Sequence, residues 1–110
     1  AFYSDFSVED FQEICEICEL ESVVCKRALR YETIIHEENL SGGEKQRVLL
    51  ARTLLKKGEI YLLDECLSEV DERLEKKIIK NIRAFLQDKT VIYISHRDHP
   101  KSFERVVDIT

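Results

Sequence analysis

Residues 60–96 read IYLLDECLSEVDERLEKKIIKNIRAFLQDKTVIYISH, and the change of period along them decides the fold class. Ile60–Leu63 is an unbroken apolar run that ends in Asp64 and Glu65, the pattern of a strand buried on both faces of a parallel sheet. Glu72–Gln87 then turns to helical spacing through Leu74, Ile78, Ile82, Phe85 and Leu86, with the intervening Lys and Glu residues forming a solvated face. Thr90–Ser95 predicts a second buried strand, and Val106–Ile109 a third. Strand, helix and strand of these lengths make a right-handed crossover, so the sheet is predicted parallel and the class α/β.

Upstream, a longer helix is predicted from Ser41 to about Lys57, burying Val48, Leu49, Ala51, Arg52, Leu54 and Leu55, with Gly58 where a C-terminal cap belongs. Ser7 followed by Asp10 reads as a helix start. Phe11, Ile14, Cys15 and Cys18 then recur at helical spacing, which carries that helix to about Leu20. A short helix over Ser22–Leu29, an extended Tyr31–Ile35 and a polar loop from His36 to Leu40 complete the reading.

The chain has 110 residues, one domain or less, and its 44% apolar and 35% charged content is that of a globular protein. The apolar runs are too short to span a bilayer, and the N-terminus lacks a basic stretch followed by an apolar one, so no direct membrane insertion is expected. A net charge of -5 argues against a nucleic-acid surface. Residues 1–40 hold ten acids and three bases, whereas residues 41–110 hold twelve and fourteen, placing a subdomain boundary near Leu40. The four cysteines are expected to be reduced thiols. Cys15 and Cys18 form a CxxC without a second ligand pair, so they read as small apolar side chains on a helix face rather than zinc ligands.

Asp64, Glu65 and His96 all follow the carboxyl ends of predicted strands, the edge of an open parallel sheet where ligands bind. Ser41 and Glu44 fit a capping box. Gly42 and Gly43, however, each cost about 1 kcal/mol relative to alanine in a helix, and a plain cap does not need them. Glycines in a first turn let another group approach the backbone, and free amides at the positive end of a helix suit a phosphate.

These residues carry a family resemblance. LSGGEKQR at 40–47 resembles the signature motif of ABC ATPases, and IYLLDE at 60–65 the Walker B strand with its following glutamate. Ser68-Glu69-Val70-Asp71 is similar to the D-loop, and Ser95-His96-Arg97 to the switch-histidine segment. Cys66 and Glu69 stand where many members have small residues. Residues 5–35, ending in Tyr31-Glu32-Thr33-Ile34-Ile35, are similar to the helical subdomain of exporter-type nucleotide-binding domains, so the chain would begin just after the Q-loop.

The resemblance implies part of a P-loop NTPase-like parallel sheet with flanking helices, together with the α-helical signature subdomain. Residues 1–40 would be the helical subdomain, and residues 41–110 the signature helix and the carboxyl-terminal part of the α/β core. ATP and Mg2+ are the implied cofactors. Asp64 would hold the metal, Glu65 would polarise the attacking water and His96 would contact the γ-phosphate. Ser41, Gly42, Gly43 and Glu44 would bind ATP held by a second nucleotide-binding domain in a head-to-tail dimer, with Asp71 helping to join the two. The parent protein would hydrolyse ATP to drive export, docked on transmembrane domains at the cytoplasmic face of the cell membrane. Two alternatives stay open: the carboxyl-terminal head of a chromosome-organising or DNA-repair ATPase, and a non-enzymatic remnant of the fold.

The Walker A half is absent: a GxxxxGK[ST] run is required, and Gly42, Gly43 and Gly58 are the only glycines. A sheet short of strands is also expected to expose apolar surface and to pair with a second copy, against which a monomeric mass over a wide concentration range would count. By itself the chain is expected neither to bind ATP tightly nor to hydrolyse it. Magnesium-dependent turnover by the purified chain, lost in Glu65→Gln, would contradict this.

Overall fold

The computed structural model describes residues 7–20 and 40–97. The predicted helix Ser22–Leu29, extended Tyr31–Ile35, the loop from His36, the strand Val106–Ile109 and Cys25 lie outside the described residues. Ser7 caps α1 (Val8–Ile17): its hydroxyl accepts from the Asp10 amide, and the Asp10 carboxylate accepts from the Ser7 amide. The helix stops at Glu19, whose φ of 57° is left-handed. Its carbonyl accepts from Arg47, and its carboxylate meets Asn81 and Lys77. Cys15 and Cys18 are both buried, as a helix-face reading requires.

Helix α2 (Gly42–Leu55) is followed by strand β1 (Ile60–Asp64), helix α3 (Glu72–Phe85) and strand β2 (Thr90–Ile94). The two strands pair in parallel, from Ile60 opposite Thr90 to Asp64 opposite Ile94, with α3 as the crossover. The chain is therefore α/β, with three helices and a two-stranded parallel sheet among the described residues. Ile14 and Cys18 of α1, Leu50 and Leu54 of α2, Tyr61 and Leu63 of β1, and Ile78 and Ile82 of α3 share one core. No described helix is long and apolar enough to cross a membrane.

Four expectations need correction. β1 and β2 are not buried on both faces: Tyr61 and Leu63 point into the core, while Ile60, Leu62, Ile92 and Ile94 are 67, 61, 49 and 45% exposed. The described helices cover one side of the sheet, so alternation along each strand leaves the other apolar side bare. On α2 the buried leucine is Leu50, not Leu49, because Leu50 lies in phase with Leu54 while Leu49 sits on the solvent side. Gly58 does not cap α2. Lys56 ends the helix in extended conformation, and the Tyr61 hydroxyl, reaching back from β1, donates to its carbonyl at 2.8 Å. Glu75 is not on the solvated face of α3; it is 1% exposed.

Leu50→Ala is expected to cost about 2–5 kcal/mol of stability by leaving a core cavity. Leu49→Ala should stay within about 0.5 kcal/mol. Chemical denaturation of both variants checks the pair.

Candidate functional site

The turn that opens α2 is a capping box. Ser41 Oγ accepts from the Glu44 amide at 3.1 Å, and Glu44 Oε1 accepts from the Ser41 amide at 2.9 Å. Glu44 is thereby committed to its own helix end. Gly43 has a steric reason, since a Cβ there would lie 3.1 Å from the Glu69 carbonyl oxygen; at Gly42 the nearest group is the Glu69 carboxylate, the end of an exposed side chain that can move aside. A close neighbour was anticipated from the glycines. In this structure that neighbour is the 66–70 loop of the same chain.

The second group lies at the carboxyl edge of the sheet. Asp64 ends β1 on its bare face, exposed, with its backbone paired opposite Ile94. Glu65 has a φ of 55°, a conformation that disfavours any residue with a Cβ. What holds it there is a set of backbone bonds: its amide donates to the Ile94 carbonyl at 2.8 Å, and its carbonyl accepts from Ser68 N and Gln46 Nε2. Strain of this kind, fixed from several sides, gathers at functional positions. Glu65 Oε1 is buried without a hydrogen-bond partner and lies 3.7 Å from Nε2 of an exposed His96. A carboxylate oxygen with spare accepting capacity beside an imidazole is suited to hold and polarise a water molecule.

The loop between Glu65 and α3 joins the two groups, through residues that lie within the motifs but to which the motifs assign no such contact. Gln46 donates to Ser68 Oγ at 2.9 Å and accepts from the Glu69 amide at 2.7 Å. Arg97 donates to the carbonyls of Ser68 and Val70 and to the buried Glu75, which also accepts from the Tyr93 hydroxyl. One signal for Glu75 was available, since 75, 78, 79 and 82 form a single helical stripe. Asp71 is the N-cap of α3, its carboxylate accepting from the Leu74 amide at 3.0 Å. Together, Glu65 meets His96, the Ser41–Gly43 turn meets Glu69, and Asp71 faces its own helix.

The donor set fits part of a magnesium nucleotide site. Two adjacent carboxylates at a sheet edge offer the oxygen ligands that magnesium takes, and the orphan oxygen of Glu65 has room for a further bond. With the Ser41 amide already donated to Glu44, the Gly42 and Gly43 amides at the start of α2 are the ones suited to an anion. A cavity of about 220 Å3 at the opposite end of the sheet, lined by Ile14, Leu54, Tyr61 and Leu86 with Lys57 and Lys89, contains none of these residues.

The family model described as "ABC transporter" matches residues 7–68. The chain is 42% identical over 93 residues to the "Lactococcin transport/processing ATP-binding protein LcnC-like" of Lactococcus lactis, covering 83% of this chain and 13% of that protein. It is 43% identical over 91 residues to the "Multidrug resistance-like ATP-binding protein MdlA" of Escherichia coli, covering 78 and 15%. It is 34% identical over 93 residues to the "Iron-sulfur clusters transporter ABCB7, mitochondrial" of Danio rerio, covering 83 and 12%. The chain thus spans less than a sixth of the length of each of these three relatives.

Burial pushes the Cys66 thiol, next to Glu65, up from 9.0 to about 11. It is therefore protonated at pH 8, and its alkylation should run on the order of a hundredfold below that of an unshifted thiol there, rising as pH approaches 11. Peptide mass spectrometry against pH measures this.

Proposed function

The chain belongs to the ABC transporter family, and on that premise we propose that it is the carboxyl-terminal part of an exporter-type nucleotide-binding domain whose complete protein hydrolyses ATP to drive export across a membrane. The observation that carries the reading is the buried oxygen of Glu65 that has no hydrogen-bond partner and lies beside His96, at the end of the strand that also bears Asp64. In this reading residues 1–40 are the helical subdomain, and residues 41–110 hold the signature helix and part of a P-loop NTPase core. The bare sheet face of Ile60, Leu62, Ile92 and Ile94 is then the surface on which the rest of the domain packs, as the small share of each relative that the chain spans supports. The named transport proteins among its relatives favour this over a chromosome-organising head.

The proposed chemistry follows from position. Asp64 holds the metal, Glu65 orients and polarises the attacking water, and His96 contacts the γ-phosphate. Bound magnesium supplies neutralisation of phosphate charge. The Ser41 hydroxyl and the amides of Gly42 and Gly43 receive the γ-phosphate of ATP held by the second domain. Glu44 and Asp71 act by holding the α2 and α3 termini in place, Asp71 at the junction with that second domain. The GxxxxGK[ST] loop is not in this sequence, so phosphate binding requires the remainder of the domain. Transmembrane domains are the proposed docking partners, with the domain at the cytoplasmic face.

In the complete protein, Glu65→Gln should lower kcat for ATP by roughly 10²–10⁴-fold, the usual worth of a positioned base, while nucleotide binding persists. Steady-state ATPase assays with parallel nucleotide-binding measurements test this; a Gln variant with unchanged kcat would remove Glu65 from the chemistry.

A further inference from the structure

Glu75 lies in the apolar stripe of α3 at 1% exposure, where an ionised carboxylate persists only if its oxygens are matched by donors. Both are matched. Tyr93 Oη donates to Oε2 at 2.5 Å, and Arg97 Nη1 donates to Oε1 at 2.6 Å. The Arg97 guanidinium does more than neutralise this charge. Nη1 also donates to the Val70 carbonyl at 2.5 Å, and Nη2 donates to the Ser68 carbonyl at 3.0 Å. One planar group, fixed by a buried anion, therefore grips two alternate carbonyls of the 66–70 loop.

That loop is held from its other side by α2, through Gln46 to Ser68 Oγ and the Glu69 amide. Its Glu69 lies over Gly42 and Gly43, and its first residue follows Glu65. Arg97 itself follows His96. A shift of the loop would thus move the glycine turn and the Glu65 backbone relative to His96. The hydrophobic anchors Leu67 and Val70 seat the loop in the core, but they do not fix where its carbonyls point.

We propose that Arg97, oriented by the buried Glu75, is a positioning residue that locks the Ser68–Val70 segment and so couples the His96–Glu65 end of the site to the Ser41–Gly43 turn. Its catalytic consequence rests on the function proposed above; the clamp itself does not. Lysine in place of Arg97 can keep the charge beside Glu75 but lacks the flat fork that reaches both carbonyls at once.

The test compares Arg97→Lys and Arg97→Gln with the parent sequence. Iodoacetamide labelling of Cys66 reports on the loop in the 110-residue chain, with the buried Cys15 and Cys18 as internal controls. Steady-state ATPase assays on the complete protein report on the chemistry. Arg97→Lys should label Cys66 about tenfold faster, as loss of charge-assisted bonds to the loop implies, with Cys15 and Cys18 unchanged. It should also lower kcat by about tenfold or more, with KM for ATP little changed, because misplacement is felt in the reacting geometry. Arg97→Gln should move both readouts further in the same direction. Wild-type Cys66 labelling in Arg97→Lys, or labelling that rises equally at Cys15 and Cys18, would overturn the clamp. Faster Cys66 labelling with wild-type kcat would overturn the coupling. A complete wild-type protein without turnover would overturn the proposed function instead, and Cys66 labelling would still decide the clamp.

Discussion

Parallel pairing of β1 with β2 is the constraint from which the rest of the structure follows. Parallel neighbours cannot be joined by a tight turn, so the chain must leave the sheet, run back as a helix and re-enter beside its start. Here α3 makes that return, burying Ile78, Ile79 and Ile82. The register that pairs Asp64 with Ile94 sends both strands out at the same edge. Glu65 and His96, 31 positions apart in sequence, thereby come within ion-pair distance. The left-handed turn at Glu65 is part of the same geometry, since its amide extends the ladder by one bond to Ile94 while its side chain swings toward His96.

What the crossover brings together, polar side chains hold in place. Gln46 from α2 and Arg97 from beyond β2 take hold of the 66–70 loop from two sides, and α1 is joined to both other helices through Glu19, Arg47 and Asn81. Burying Glu75 is costly by itself and is offset by two strong donors, one of which also reaches the loop backbone. A leucine at position 75 would pack the same stripe without orienting Arg97. The ion pair therefore adds direction where an apolar residue would add only burial.

Local patterns survived into the structure wherever the cause was local. Ser7 with Asp10 and Ser41 with Glu44 form capping boxes because both partners lie three residues apart. The two strands, the crossover helix and the parallel pairing follow from apolar run lengths and the period change after Asp71. Readings that depended on distant neighbours fared differently. The burial of Ile60 and Leu62 turned on what covers the second face of the sheet, and the end of α2 turned on a tyrosine of the next strand rather than on Gly58.

Among the described residues the sequence by itself determined the element types and their order, and with them the α/β class and the family, because periodicity, caps and short motifs are properties of residues close together in the chain. It also placed Asp64, Glu65 and His96 at one edge, since strand ends in a parallel sheet share an edge. The tertiary structure decided that Glu69 is the group against Gly42, that Gln46 and Arg97 hold the 66–70 loop, and that Glu75 and Arg97 form a buried pair. Those outcomes join residues separated by tens of positions, and a side chain's partner across such a distance is set by packing of the whole core rather than by its neighbours in the chain.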